Sequence, residues 1–572
     1  MKINNYEISF TEEELDEILN NKCRKVELIS KEFEGYKNLS ETDKKALEHL
    51  VNAAKIINDV ALEQDHPLNR NLKNALEEVA NESSHASKAL ELFNCINGVS
   101  GHNGIDKNPV QIFKNIQLLK GRNFYPEDLS VEEFHQILLT MAERKKFDEI
   151  RNILSARTMV RRENDELIAI DYTKYFEKEF AKIAKELEAA ADLCSDNRFK
   201  QFLNYQSKAL LNNDEKLDML ADTAWADLQD TDLEFTISRE NYEDDMTGSV
   251  FQNQKLKDIF AQNNIEVVAK DTLGCRVGIV NKKETEVILT SKKTIPHLMK
   301  WMPYSDKYEQ SDSSNEDLKQ AMNDVDIIAL TGDYAMCRGG ITNAQNLPNN
   351  DKLSVKSGGG RKNVYHRQVR FSNDTKREKL LLEKLVAPEF HKYVDTSKHI
   401  VFVIYHENGH SLGPRAQYQN ALGEYKHIIE ENKADVISIS ALEEIAKTYD
   451  MFSEEEIRKI YASWIFATLF LRAEPVFANP HRVASLMHFN YLTENNALWF
   501  DDNKKLHIEF DKISPVMYKL LEETIALQLS KSVEQAAAFV KRWAYWGESS
   551  QYIASVQEEM GIKPYIKIVT NF

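Results

Sequence analysis

The sequence is short of everything that would tie it to a membrane or to a nucleic acid. Its longest apolar runs, Val401 to Tyr405 and Trp464 to Leu471, fall far below the roughly twenty residues that span a bilayer. Positive charge is in deficit: 73 Lys and Arg stand against 91 Asp and Glu, a formal charge of −18. No basic stripe follows a phosphate backbone, and a nucleic-acid partner is not expected. Cysteine is scarce too. The five present (Cys23, Cys95, Cys194, Cys275, Cys337) are scattered, odd in number and never spaced CxxC. Neither a disulfide framework nor a thiolate zinc site is indicated, and a reduced compartment fits. The opening stretch MKINNYEISFTEEELDEIL turns acidic at once and has no apolar centre, so it does not read as a secretory signal. With no repeat, low-complexity tract or long linker, the expectation is a cytoplasmic protein with no membrane partner.

What is there is ample for a folded core: 572 residues, 42% of them hydrophobic, a length that suggests roughly two to four domains. From about residue 11 to 230 apolar residues recur at spacings of three and four, as in ALEHLVNAAKIINDVALEQ, which predicts helices. Ser40 followed by Asp43 opens one of them in the manner of a capping box. Between about 232 and 372 the texture changes to short β-rich runs, EFTIS, CRVGIVN, EVILTS and DIIALTGD, with a helical insert near 315 to 323. The glycine-rich Ser357 to Asn363 lacks the GK[ST] ending of a phosphate loop and reads as an ordinary loop. From 376 onward helical spacing returns, so composition and periodicity give a mixed α and β protein.

One stretch carries metal chemistry: HIVFVIYHENGHSLGPRAQYQNALGEYKHIIEENKAD, His399 to Asp435. On a helix, His406 and His410 project from one face, so two imidazoles can meet one ion. Zinc accepts two neutral imidazoles and a carboxylate and keeps a position for water, and Glu407, between the histidines, can take that water's proton. The third ligand must come from elsewhere, and Glu430 and Glu431 lie about twenty residues on, in a second helical run. Gly413 and Pro414 end the first helix just after His410. Local propensity runs the other way, because HIVFVIY is β-branched and Gly409 sits inside the motif. The ligand geometry requires the helix.

On these residues the chain resembles the dipeptidyl peptidase III family of zinc exopeptidases, most closely its plant-type branch fused to a Nudix domain, although no Nudix segment is read in this sequence. The resemblance runs from LSETDKKALEHLVNAAKIINDV through GRNFYPEDL, ISRENYEDD, NAQNLPNN and HENGH to EENKAD and HRVASLMHFNYL. It implies an α+β, predominantly helical fold of two lobes around a wide cleft. One lobe, 256–325 with 377–572, is helical and holds the zinc. The other, 1–255 with 326–376, has a β-barrel core plus helices. It implies one zinc per chain on His406, His410 and Glu431, with Glu407 as general base and Glu430 and Asp435 supporting the ligands. Tyr242 would donate to the developing oxyanion, and His481 would contact the transition state. Glu240, Asn346 and Asn349 would hold the free amine of a short peptide. The implied reaction is hydrolysis of the second peptide bond from the N-terminus. A zinc endopeptidase, another amide hydrolase and a catalytically weak peptide-binding protein are the alternatives, the last disfavoured by an intact Glu407.

Overall fold

Helices carry most of the chain, and the sheets are small, so the protein is α+β and predominantly helical. The structure, a computed structural model, describes residues 1–101, 108–240, 245–250, 252–309, 321–333, 344–347, 361–365, 375–477, 479–561, 563–569 and 572. Contacts divide the chain into two compact units. One comprises Met1–Asn281, Val325–Thr342 and Lys563–Phe572, the other Lys282–Asp324 and Asn343–Ile562. This differs from the partition that the resemblance implies in three segments. Residues 256–281 join the first unit because strand Thr272–Val280 pairs with Leu233–Glu240 and packs on the Glu41–Asp65 helix. Residues 343–376 fall with the second. The last residues return to the first, where Tyr565–Val569 lies parallel to Cys23–Glu27.

The first unit is built on the helix Glu41–Asp65, whose buried side includes Leu47, Leu50, Ala54, Ile57 and Ala61. Ser40 caps it as its spacing with Asp43 predicts, its Oγ accepting from the Asp43 N–H at 3.0 Å. The Glu177–Leu193 helix packs alongside. Within the stretch read as helical lies a β-hairpin, Thr158–Glu163 against Glu166–Asp171. Asn164 and Asp165, both left-handed at φ 49° and 66°, make its two-residue turn. That turn chemistry, between two alternating runs, is the signal that the helical reading passed over.

Three of the four β-rich runs form strands: EFTIS in Leu233–Glu240, CRVGIVN in Thr272–Val280 and DIIALTGD in Ala321–Gly332. In the first unit Thr272–Val280 pairs antiparallel with Leu233–Glu240 on one side and with the later part of Ala321–Gly332 on the other. In the second unit residues 321–324 pair in parallel with Arg361–Val364, itself antiparallel to Ala344–Leu347. EVILTS is different, since it lies in the helix Lys282–Lys292. Thr285, Ile288 and Ser291 recur every third residue as its buried face, so a helical stripe overrides the β propensity of the run. Most of the expected helical insert, and residues 357–360 of the glycine-rich stretch, lie outside the described residues, while 321–323 and 361–363 are strand.

The second unit's core brings together His399–Gly409, Lys426–Ser440, Pro480–Glu494 and Phe510–Ser530. The conflict over HIVFVIY resolves in favour of the helix. Ile400, Phe402, Val403, Ile404 and Tyr405 are all buried, and a helix surrounded by core can be apolar on every side. It ends at Gly409 with His410 as its cap, and Gly413 at φ +94° turns the chain away. Among the described residues no helix is long and apolar enough to cross a membrane.

Gly409 is where the first two of these helices meet. A Cβ there would sit 3.0 Å from both Cα and the carbonyl O of Ala434, backbone that cannot rotate away. Helix propensity alone would favour Gly409→Ala by about 1 kcal/mol, but relieving such a clash costs about 1–3 kcal/mol. Gly409→Ala is therefore expected to lower the melting temperature by about 1–3 °C. Unchanged or increased stability would show that the helices are not pinned at this contact.

Candidate metal centre

The helix His399–Gly409, with its cap, presents His406 and His410 from one side, and each ring is held from behind by a carboxylate of Lys426–Ser440. Nδ1 of His406 lies 2.6 Å from Oδ1 of Asp435, and Nδ1 of His410 lies 3.1 Å from Oε1 of Glu430. An ionised carboxylate only accepts, so in the neutral rings Nδ1 carries the hydrogen and Nε2 presents a lone pair. The two Nε2 atoms face each other at 3.1 Å. Oε2 of Glu431 stands 3.4 Å from the first and 3.7 Å from the second. Two bare imidazole nitrogens so close require a proton or a cation between them. Ligand atoms about 3.3 Å apart are what a tetrahedral ion with bonds of about 2.0–2.1 Å imposes.

The chemistry of the donor set fits zinc, and so does an orphaned atom. Oε2 of Glu431 is buried and accepts no well-directed hydrogen bond among the described residues. His406, His410 and Glu431 are the group of metal-ligand side chains found there, their ligand atoms all within 4.8 Å of one another. Electrostatics point the same way. Burial alone would lower the pKa of His406, but Asp435, Glu431 and Glu407 outweigh it and raise it to about 9. Burial opposes ionisation of Glu431, yet His481, His410 and His406 bring its pKa down to about 2. The metal-free cluster thus holds charge of both signs at neutral pH. An incoming cation has to displace a proton.

The residues expected at the site divide by where they fall. His406, His410 and Glu431 converge, and Glu430 and Asp435 occupy the far nitrogens of the two rings. Glu407, half-buried, stands between the histidines on the same helix. His481, in the first turn of Pro480–Glu494, brings Nδ1 to 3.0 Å from Oε2 of Glu431 while its side chain stays 64% exposed. Glu240 closes the strand Leu233–Glu240, and Asn346 lies in Ala344–Leu347. Their side chains, together with Tyr242 and Asn349, lie outside the described residues.

Two supporting residues escaped the sequence reading. Lys433 is buried, with Nζ 2.8 Å from Oε1 of Glu430 and donating to the Leu412 carbonyl at 2.6 Å. Burial opposes the charge on Glu430, but Lys433 and His410 hold its pKa below the usual carboxylate range. His488 is also buried, its Nε2 2.9 Å from Oδ1 of Asn432. Thr524 spends its hydroxyl hydrogen on the Leu520 carbonyl and so accepts from Nδ2 of Asn432 at 2.7 Å. Asn432 therefore shows its oxygen to His488, and Nε2 of His488 is the donor. Its Nδ1 faces Oδ2 of Asp435 at 3.7 Å. Both had a signal in the sequence: Lys433 follows Glu430 by three and His488 follows His481 by seven, spacings that return to the same helix face.

No known family's sequence model matches the chain. A curated plant relative, Nudix hydrolase 3 of Arabidopsis thaliana, is 25% identical over 548 residues, covering 86% of this chain and 66% of that protein. The chain thus spans just under two thirds of that relative's length. Among solved structures, dipeptidyl peptidase III from Caldithrix abyssi superposes with a TM-score of 0.76 at 22% identity, over 98% of this chain and 99% of that one. Dipeptidyl-peptidase III from Corallococcus sp. strain EGB does so with a TM-score of 0.69 at 18% identity, over 98% and 97%. The likeness extends over essentially the whole chain and shows a shared fold.

Because the proton on His406 competes with metal below about pH 9, the sign of the pH dependence is set: apparent zinc affinity should rise from pH 6 to pH 8. The rise should be roughly tenfold per pH unit for one displaced proton. Competition against a chelator at each pH reads it, and His410→Ala should lose most of the bound zinc at pH 8. A flat profile combined with full zinc content in the variant would place the metal on other residues.

Proposed function

We propose that this chain, which has the dipeptidyl peptidase III fold, is a zinc-dependent peptidase that removes dipeptides from the N-terminus of short peptides. The observation that carries the reading is the gathering of two Nε2 atoms and the buried Oε2 of Glu431 within 3.1 to 3.7 Å of one another, with Glu407 between the two histidines on the helix. His406, His410 and Glu431 would hold one zinc. When bound, zinc supplies Lewis acidity to the scissile carbonyl and makes water acidic enough to be deprotonated near neutral pH.

The chain's own residues do the rest. Glu407 takes the proton of the attacking water and passes it to the departing amine, general base and then general acid. Asp435 and Glu430 hold the hydrogens of His406 and His410 on Nδ1, which keeps both Nε2 atoms available. Tyr242 is assigned to donate to the developing oxyanion, and His481, already beside Glu431, to support the same charge. Glu240, Asn346 and Asn349 are assigned to the peptide's ammonium, whose desolvation needs an acid and neutral acceptors. Those assignments rest on the resemblance, and the exopeptidase register rests on them. A protein that only sequestered peptides would have no use for a base at Glu407.

Holding the ion and moving the proton are separable in this scheme. Glu407→Gln should keep its zinc and still bind peptide, while kcat falls by roughly a hundredfold to ten-thousandfold. Zinc content, peptide binding and turnover measured on one preparation decide the matter. Turnover close to that of the unmodified protein would remove Glu407 as the base, and loss of zinc would make it a ligand.

A further inference from the structure

The two imidazoles that face the metal position are backed by unequal carboxylates. Behind His406, Oδ1 of Asp435 accepts from Nδ1 at 2.6 Å, and among the described residues no other side chain donates to that carboxylate. His488 comes within 3.7 Å of Oδ2, but with the atom that carries no hydrogen, because its N–H is on Nε2 toward Asn432. Behind His410, the carboxylate is shared. Oε1 of Glu430, which Nδ1 of His410 reaches at 3.1 Å, also lies 2.8 Å from Nζ of Lys433, and Nε2 of Gln528 approaches Oε2 at 3.4 Å.

Lys433 is the source of this inequality. Its side chain is buried, and its ammonium is fixed between Glu430 and the Leu412 carbonyl, to which it donates at 2.6 Å. A full positive charge on a carboxylate oxygen draws electron density that a neutral imidazole N–H would otherwise use, since charge-assisted bonds are roughly twice as strong as neutral ones. The distances agree: the ring stands 2.6 Å from its carboxylate where no lysine intervenes and 3.1 Å where one does. The basicity that a carboxylate lends to a ligating imidazole passes through that hydrogen bond. His406 therefore presents the stronger donor at Nε2, and His410 the weaker. A buried ammonium is also costlier than an apolar side chain of the same length, so packing alone gives no reason for a lysine here.

We propose that Lys433 is a positioning residue which, through Glu430, makes His410 the weaker of the two imidazole ligands and leaves His406 as the anchor of the metal. This rests on the metal centre of the function proposed above and adds to it an unequal pair of ligands. Lys433 itself touches neither metal nor substrate. Its use is that a ligand which donates less leaves the cation it holds a stronger Lewis acid.

The test reads zinc affinity by chelator competition at pH 8 and needs no turnover. Lys433→Met removes the charge and keeps the apolar stem, and it should tighten zinc binding roughly tenfold. A lysine that served only to hold Leu412 and the end of the motif in place would, on removal, loosen it. Lys433→Arg restores the charge and should bring the affinity back to within about threefold of the unmodified protein. Because the lysine acts through a carboxylate, Glu430→Gln should cost more than about tenfold in zinc affinity with Lys433→Met in place, and less than about threefold with Lys433 present. Weaker zinc in Lys433→Met would overturn the proposal. Additive effects of the two substitutions would do so too, since they would mean that the ammonium acts on the cation directly. Should Lys433→Met fail to fold, the inequality is read with the lysine in place: Asp435→Asn should cost at least about tenfold more zinc affinity than Glu430→Gln. Equal losses in a protein that binds one zinc would overturn the proposal alone, whereas an unmodified protein that binds none would remove the metal reading and the proposal with it.

Discussion

Everything at the centre depends on how closely two helices approach. His399–Gly409 and Lys426–Ser440 meet where Gly409 lies against the Ala434 backbone, and that approach lets carboxylates of one helix reach the imidazoles of the other. Asp435 takes Nδ1 of His406 at 2.6 Å, Glu430 takes Nδ1 of His410 at 3.1 Å, and Glu431 is left facing both Nε2 atoms. Move the helices apart by the width of a methyl group and these distances no longer hold. Glycine is thus retained inside the motif despite its helical cost.

The charges gathered there are largely buried and of both signs, a set that would favour a bound cation. Around the imidazoles of His406 and His410 stand Glu407, Glu430, Glu431 and Asp435, with buried Lys433 against Glu430, His481 against Glu431 and His488 beside Asp435. Buried ions without compensation are strongly destabilising, so the metal-free cluster relies on protons, as the elevated pKa of His406 records. A divalent cation held by His406, His410 and Glu431 would take the place of that proton and give Oε2 of Glu431 a stronger partner than His481, which approaches it at 3.0 Å. Behind the ligands, the order of donors from Thr524 through Asn432 to His488 fixes the ring that faces Asp435. Stability and function here draw on the same groups.

Much of this was legible in the sequence because the motif's chemistry is local. The spacing of His406 and His410 demands a helix, and the following carboxylates demand a second one, so geometry prevailed over the β-branched run HIVFVIY. Less local features were not legible. EVILTS has strand propensity, and only the core contact of Thr285, Ile288 and Ser291 makes it helical. The hairpin around Asn164 and Asp165 hid inside a long helical region, and the pairing of Tyr565–Val569 with Cys23–Glu27 joins chain ends that no local pattern connects. His488 and Lys433 matter through partners on other elements or turns, which spacing alone could suggest but not assign.

The register of cleavage tests the account most directly, because it asks the metal centre and the amine-binding residues to act together on one molecule. A short peptide with a free N-terminus and its acetylated twin are incubated with the zinc-loaded protein, and the products are mapped by mass spectrometry. The account predicts a dipeptide from the free form and near inertness of the acetylated form, a discrimination that can reach roughly 10⁴-fold when buried polar groups lose their partner. Glu240→Gln should narrow that gap. Equal cleavage of both peptides, or cuts deep within the chain, would contradict the account and leave an endopeptidase on the same metal centre.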